Sequence, residues 1–425
     1  MQENQIKPSL WSRDFTILTL GSLVSMVGST LSWYAISIMV LDYTGSTFLY
    51  VLFNVCFQIP GLVLPLLAGP YLDRMSRKKA IYGLDFLSAG LYLLIAVLLW
   101  SGWFSYPVLL LGGVLIGSIN SVYGVAWESF FPNLITEGNF SKAYSISGLM
   151  SDLSGLSYPL GALLYDWVGT AALFAVTAGA FFIAACFETA IRYEETHMAQ
   201  AEKTKVDGAG ALRQFGLDFR EGLTYLRSEK GLLTIALYFT MSSFVGGGTG
   251  NLYLPFFKNN AALFAAWVIP ATTLYTIVSN FSVVGRLLGG VVHYKIKIPA
   301  KRKFAIALTV YTVLCFTEGA VLWLPIPLMA LVFLMSGLLG VTSYNIRIAA
   351  TQSYVPDTKR ARFSGTFSML CSLGSIAGSL TGGALAEVMP ERHVIILLSC
   401  VGLAAVYLFM FRGRKHVAEI YNRDL

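Results

Sequence analysis

Residues 69–79 read GPYLDRMSRKK, with Asp73, Arg74, Arg77, Lys78 and Lys79 crowded into one short stretch. On one side stands an apolar block, 48–72, without a charge; on the other stands 80–100, whose single charge is Asp85. A turn this charged stays in water, whereas ~20 apolar residues at ~1.5 Å rise each cross a bilayer core about 30 Å thick. Working outward, the same pattern recurs at 15–41, 107–131, 143–165 and 170–191. After a polar interval it continues at 231–257, 263–290, 304–324, 327–350, 363–386 and 394–411. The expected fold is an all-α membrane protein with twelve transmembrane helices.

Composition agrees. Of 425 residues 56% are hydrophobic and 12% charged, about half the charge of a typical soluble domain. So few charges cannot cover water-facing domains, and a nucleic-acid binder, a disordered chain and a secreted disulfide scaffold are excluded. The net charge of +7 has a topological reading: with the N-terminus inside, the inside segments hold 26 of the 30 Lys and Arg. Lys258 and Arg392 fall outside, and Arg286 and Arg347 lie within blocks. That asymmetry places both termini in the cytoplasm of a multi-pass protein of the cell membrane. The first block is too long for a signal-peptide core and is kept as a helix.

The five cysteines all sit in apolar blocks without a CxxC pair, and the four histidines are scattered. They form no metal-ligand spacing. No phosphate-binding GxxxxGK[ST] occurs. The expectation is a protein that is not an enzyme, holds no metal or cofactor, and draws any energy from an ion gradient, a substrate gradient or a partner subunit.

The blocks divide six and six, giving bundles at 1–191 and 231–425, the second with a short cytoplasmic tail, joined by a cytoplasmic linker at 192–230. Within the linker, Leu212, Phe215, Phe219, Leu223 and Leu226 recur at helical spacing. This amphipathic helix either lies on the inner membrane surface or is a solvated spacer. The halves also share a repeat. AWESFFPNLITEGNFSKAYSISG (126–148) parallels AATQSYVPDTKRARFSGTFSM (349–369): Pro132 matches Pro356, and Glu128 and Gln352 each stand four residues earlier. Both continue to Gly-Ala-Leu at 161–163 and 383–385, followed by Asp166 and Glu387. Small stripes, Ser147, Ser151 and Gly155 against Gly374, Gly378 and Gly382, suit close helix contacts. Paired six-helix halves are what some transporters rock about a midplane site.

The 69–79 stretch resembles the signature of the major facilitator superfamily, G-x-x-x-D-R-x-G-R-[KR]-[KR], with Ser76 in place of the second glycine. The counterpart from Gly285 keeps the basic run and lacks the Asp. The resemblance implies a cytoplasmic gate made of Gly69, Asp73, Arg74 and Arg77. In it Asp73 sits at a helix N-terminus of the other half, and Arg77 pairs with an acid in the position of Glu128. The ends of blocks four and ten look most like the macrolide, siderophore and multidrug exporters of the superfamily. YPLGALL (158–164) loosely resembles an exporter motif of block five; the Arg that many drug:proton antiporters carry in block four is absent from GVLIGSINSVYGVA (113–126).

Acids inside the blocks are functional candidates by default. By analogy with the family, blocks three, six, nine and twelve are outer supports, which sets aside Asp85, Glu188 and Glu318. Asp152 lies about 13 Å into block five by helical rise, placed to take and release a proton; the alternative is an Asp bonded to Ser151 and Ser154. The cavity candidates on lining blocks are Trp33, Asn54, Gln58, Asn120, Tyr123, Tyr238, Tyr275, Asn280, Tyr344 and Asn345, each equally suited to joining helices. Together they suggest a large, mostly apolar cavity for an amphipathic or weakly cationic compound. The expected function is proton-coupled export of such a small molecule by a monomer in the bilayer. An uptake carrier or lysophospholipid translocator, and a non-transporting membrane sensor or assembly protein, are the other readings.

Overall fold

The computed structural model describes residues 9–72, 75–103, 105–136, 139–195, 208–295 and 299–423. Among them all regular structure is helical, as a bilayer requires, because hydrocarbon offers no water to satisfy open backbone groups. The helices are α1 (Arg13–Thr44), α2 (Thr47–Gln58), α3 (Pro60–Leu72), α4 (Arg77–Trp100), α5 (Tyr106–Phe130), α6 (Phe140–Leu156) and α7 (Tyr158–Thr189). There follow α8 (Gly208–Ser228), α9 (Lys230–Gly250), α10 (Tyr253–Asn259), α11 (Ala271–Lys295) and α12 (Lys303–Ala320). The last are α13 (Ile326–Tyr354), α14 (Asp357–Ala386), α15 (Glu391–Ala405) and α16 (Arg414–Tyr421).

Eleven described runs are long and apolar enough to span a membrane. The block at 143–165 has no uninterrupted run of that length, because α6 stops at a turn on Ser157 and α7 restarts with a proline in its first turn. Pro159 lacks the N–H that would continue α6. Helix α7 then carries two blocks, broken at Gly169, whose φ of 77° lies in the left-handed region that favours glycine. The eighth block starts later than expected, at Ala271 rather than 263, behind Pro270.

The described chain forms two compact units, Met1–Tyr43 with Cys56–Arg213, and Thr44–Val55 with Gln214–Leu425. In the first, α4 packs along α7 and α3 along α5. Tyr92 stacks on Phe181 at 5.4 Å between centroids, and Phe15, Ile81, Phe130 and Phe131 close one end of the core. The face that α1 buries is unusual for its small polar character: Gly21, Ser22, Ser25, Gly28 and Ser32, at three- and four-residue steps. Ser32 donates to Thr177 at 2.6 Å, and Thr177 donates to the Gly28 carbonyl at 3.1 Å.

In the second unit the tight seams are α9 with α14 and α11 with α13. Glycines make them possible. A Cβ on Gly382 would stand 2.6 Å from the Gly248 carbonyl, and one on Gly378 would run into the Phe244 carbonyl. Likewise Gly285 abuts the Leu334 carbonyl and Gly337 that of Ser282. The expected counterpart stripe in the first unit is different, since Gly155 faces open space. The 44–55 segment is held by Glu387, whose Oε1 accepts from Ser46 Oγ at 2.7 Å and from the Phe48 N–H at 2.8 Å. An acid there complements the N-terminus of α2. Asn54 donates to Asn251 at 3.0 Å, and Asn251 donates to Ser379 at 3.0 Å.

The amphipathic linker helix is packed, not free. Arg362, at the start of α14, pairs with Asp218 at 3.2 Å and Glu221 at 2.7 Å. Gly222 lies so close to Thr366 that a Cβ there would collide. Lys359 sits 4.6 Å from the Tyr225 ring, and Leu226 is buried. The C-terminal tail forms α16, which buries Val417, Ile420 and Tyr421.

Two predictions follow from these seams. Gly378→Leu should cost at least the ~1–3 kcal/mol of an overpacked core, seen as a lower midpoint in thermal melts of purified protein. Gly340→Ala, where a Cβ meets nothing within 4 Å, should melt like the parent. Gly222→Val should raise hydrogen exchange across 213–228 to the level of an unpacked helix. Arg362→Gln should do so only partly, because exposed ion pairs contribute about 0–1 kcal/mol each.

Candidate functional site

The small face of α1 leaves room in the first unit for a cavity of about 250 Å³. Its wall comes from Ser25, Met26, Ser29 and Thr30 of α1, Asp85 and Ser88 of α4, Ile119, Asn120 and Tyr123 of α5, Ser154 of α6 and Phe181 of α7. Hydroxyls outnumber every other kind of group. Ser25 donates to Asp85 Oδ2 at 2.8 Å; Thr30 and Ser154 share a hydrogen bond of 2.8 Å. The Tyr123 hydroxyl lies 3.2 Å from Ser22, which also accepts from the Trp127 indole at 3.0 Å.

Asp85 is 1% exposed and Glu188 is 0% exposed. The two carboxyls interact electrostatically with each other and with Tyr123. Glu188 packs on α1 where Gly21 offers no side chain, its Oε1 3.2 Å from the place a Cβ would take. Neither Glu188 oxygen has a hydrogen-bond partner among the described residues. The family analogy set these acids aside as residues of supporting helices. The structure instead puts Asp85 on the cavity wall and Glu188 beside it. The signal was present in the sequence as the stripe Gly21, Ser22, Ser25, Gly28, Ser29 and Ser32, a small polar face that calls for polar partners on its neighbours.

Of the other candidates, Asn120 and Tyr123 meet on this wall. Asp152 is half-exposed on α6, two residues before Ser154, and is not among the lining residues. Trp33 packs on Phe57 with centroids 4.0 Å apart, and Gln58 is exposed. In the second unit Asn54 is buried against Asn251. Tyr238 is buried between Phe239 and Tyr311, with centroids at 5.1 Å and 4.7 Å. Tyr275 packs on Phe257 at 5.4 Å, and Asn280 is half-buried. Tyr344 and Asn345 are exposed on α13. There the Arg347 guanidinium sits over Phe367, Phe239 and Tyr344 at 4.8, 4.9 and 5.3 Å.

Of the expected gate, Asp73 and Arg74 lie outside the described residues, and Gly69 falls in the last turn of α3. Arg77 opens α4, and its guanidinium donates to the Ser129 carbonyl at 3.0 Å; Glu128, one residue earlier, is exposed. An acid the sequence did not single out caps this helix. Glu195 Oε1 accepts from the Arg77 N–H at 2.8 Å and from the Lys78 N–H at 3.3 Å. Its negative charge suits the open N–H groups there. Among the described residues no His, Cys, Asp or Glu cluster could hold a metal ion.

Comparison with known proteins agrees with this architecture. The chain matches the Major Facilitator Superfamily over residues 18–379. It is 24% identical to the MFS-type transporter YkuC of Bacillus subtilis (strain 168), covering 94% of this chain and 91% of that one. It is 24% identical to macrolide efflux protein A of Streptococcus pyogenes over 55% of this chain and 56% of the relative, so that match spans about half of each. Among solved structures it resembles the nucleoside transporter NupG, with a TM-score of 0.69 and 13% identity over 94% of this chain and 99% of that one. A bacterial homologue of the iron transporter ferroportin gives a TM-score of 0.67 and 15% identity over 96% of this chain and all of the other (100%). At such identities the likeness speaks for the fold. With the apolar spans and the extended family match, the chain is a multi-pass membrane protein belonging to the major facilitator superfamily of transporters.

Proposed function

We propose that this protein is a secondary active transporter that exports a hydrophobic or amphipathic small molecule, of drug, macrolide or siderophore type, in exchange for protons. The observation that carries the reading is the hydroxyl-bearing cavity with Asp85 on its wall, lined by α1, α4, α5 and α7, which carry candidate spans, and by Ser154 of α6. Polar and ionisable groups within membrane-spanning helices are costly, and in membrane proteins they mark substrate or ion pathways. The partial match to a macrolide efflux protein supports the direction and the substrate class. The exposed Tyr344 and half-buried Tyr275 offer aromatic surface that suits an apolar or amphipathic compound.

In this reading the protein works as a monomer in the cell membrane with both termini in the cytoplasm, and alternating access moves the substrate. Asp152, half-exposed on α6, trades protons with water. Asp73 and Arg77 close the cytoplasmic side.

A substrate panel in everted vesicles tests the proposal. Ethidium, erythromycin and a hydroxamate siderophore should be taken up into the vesicles, and a protonophore should abolish the uptake. Asp152→Asn should lose the protonophore-sensitive part, and Asp73→Asn should slow transport of every accepted compound. Uptake of the panel that persists undiminished with a protonophore would sink the proton coupling. Absence of movement for all compounds in either direction would favour a non-transporting role.

A further inference from the structure

Inside the first unit, two buried carboxyl groups from different helices lie against neighbouring turns of α1, at Ser25 and Gly21, with no cation paired to either among the described residues. Asp85 of α4 and Glu188 of α7 are 1% and 0% exposed. Among the described residues neither forms an ion pair. Asp85 accepts one hydrogen bond, from Ser25 at 2.8 Å, and both Glu188 oxygens are without a partner. The groups facing the pair from the surrounding helices are neutral: the Ser22 and Ser25 hydroxyls of α1, with Gly21 packed directly on Glu188, and the Tyr123 phenol of α5. A purely structural role would give Glu188 a donor, because a buried polar group left unbonded costs about 1–3 kcal/mol, and more when charged. One arm of the pair is also open. Asp85 lines the cavity of about 250 Å³, which has room for water, and its hydroxyl-rich wall offers water several partners.

We propose that Asp85 and Glu188 together form a proton-holding site of this transporter, loaded from the hydroxyl-lined cavity through Asp85. A hydronium ion in the cavity gives its proton to a carboxylate oxygen of Asp85 and leaves water behind. The proton passes on to Glu188, whose orphaned oxygens gain the O–H that the protein leaves room for. Release reverses these steps. The inference rests on the proton coupling proposed above and adds to Asp152 a second, buried store at Asp85 and Glu188. Gly21 and Ser25 are then positioning residues: the first lets Glu188 reach α1, the second orients Asp85.

Infrared difference spectra of the purified full-length protein in lipid nanodiscs, recorded as pH is stepped, read the site without a transported substrate. The carboxylic C=O stretch of a protonated, dry acid should titrate in the parent. Glu188→Gln and Asp85→Asn should each remove part of this band, and the double variant should remove it, while Asp152→Asn should keep it. Ser25→Ala should move the Asp85 component in frequency without removing it, a change that a merely misfolded variant would not produce. A band that survives in the double variant, or one that vanishes in Asp152→Asn alone, would overturn the assignment. So would a band that responds to replacing potassium by sodium at fixed pH, which would make the pair a sodium site. The two proposals fail separately. Loss of the band in the double variant with no compound transported leaves the site and removes the exporter. Protonophore-sensitive efflux with a band indifferent to both acids does the reverse.

Discussion

No hydrophobic force presses one helix on another within a bilayer, since lipid tails are as apolar as leucine. Helices there associate by close packing and by polar contacts that hydrocarbon cannot replace. This constraint organises both units. In the second, glycine removes side chains until backbone meets backbone, at Gly248, Gly378 and Gly382 between α9 and α14, and at Gly285 and Gly337 between α11 and α13. In the first, α1 achieves approach with serines as well as glycines, so its seam with α4, α5 and α7 carries hydrogen bonds. The second unit's seams are closed mainly by backbone approach, whereas the first unit's holds a run of hydroxyls and a cavity. Difference in chemistry between the units starts from that choice of small residue.

Charge is handled by a second rule, the placement of acids at helix N-termini. Glu195 covers the first N–H groups of α4, and Glu387 those of α2. Arg362 works the other way, gathering Asp218 and Glu221 from the linker helix onto α14. Beside these satisfied acids Glu188 stands out, among the described residues, as one that the fold buries and leaves without a hydrogen bond.

Much of the fold was legible because a spanning helix needs a long apolar run, and such runs are hard to disguise. What hydropathy could not resolve were the joints. Pro159 lies inside one apolar block and Gly169 between two, and hydropathy does not show that the first restarts a helix and the second takes a left-handed turn within it. The 263–270 stretch is apolar enough to look spanning, and Pro270 defers α11. The site was less legible. Asp85 and Glu188 were visible as residues, but whether they face lipid, a neighbour or each other depends on the rotation of α4 and α7, which a smooth apolar pattern does not encode. Tyr238 and Asn54 illustrate the same limit, being polar residues on lining helices that the structure spends on contacts between helices. Glu195 escaped notice because nothing in a polar interval distinguishes one acid from the next.

The last spanning helix leaves one further mark on the molecule. Between Val406 and Phe411 the chain widens into a π-helical turn, in which the Arg412 N–H reaches back five residues to the Tyr407 carbonyl at 3.0 Å. Such a turn accommodates one residue more than an α-helical turn, and so resets the face presented downstream by about 100°. Val406 and Met410 are both buried, and downstream of the reset α16 brings the Tyr421 hydroxyl 3.1 Å from that of Tyr311. The phase of the C-terminal segment is therefore stored in this one turn: shortening 406–411 by a residue would remove a single side chain and still aim α16 away from its seat.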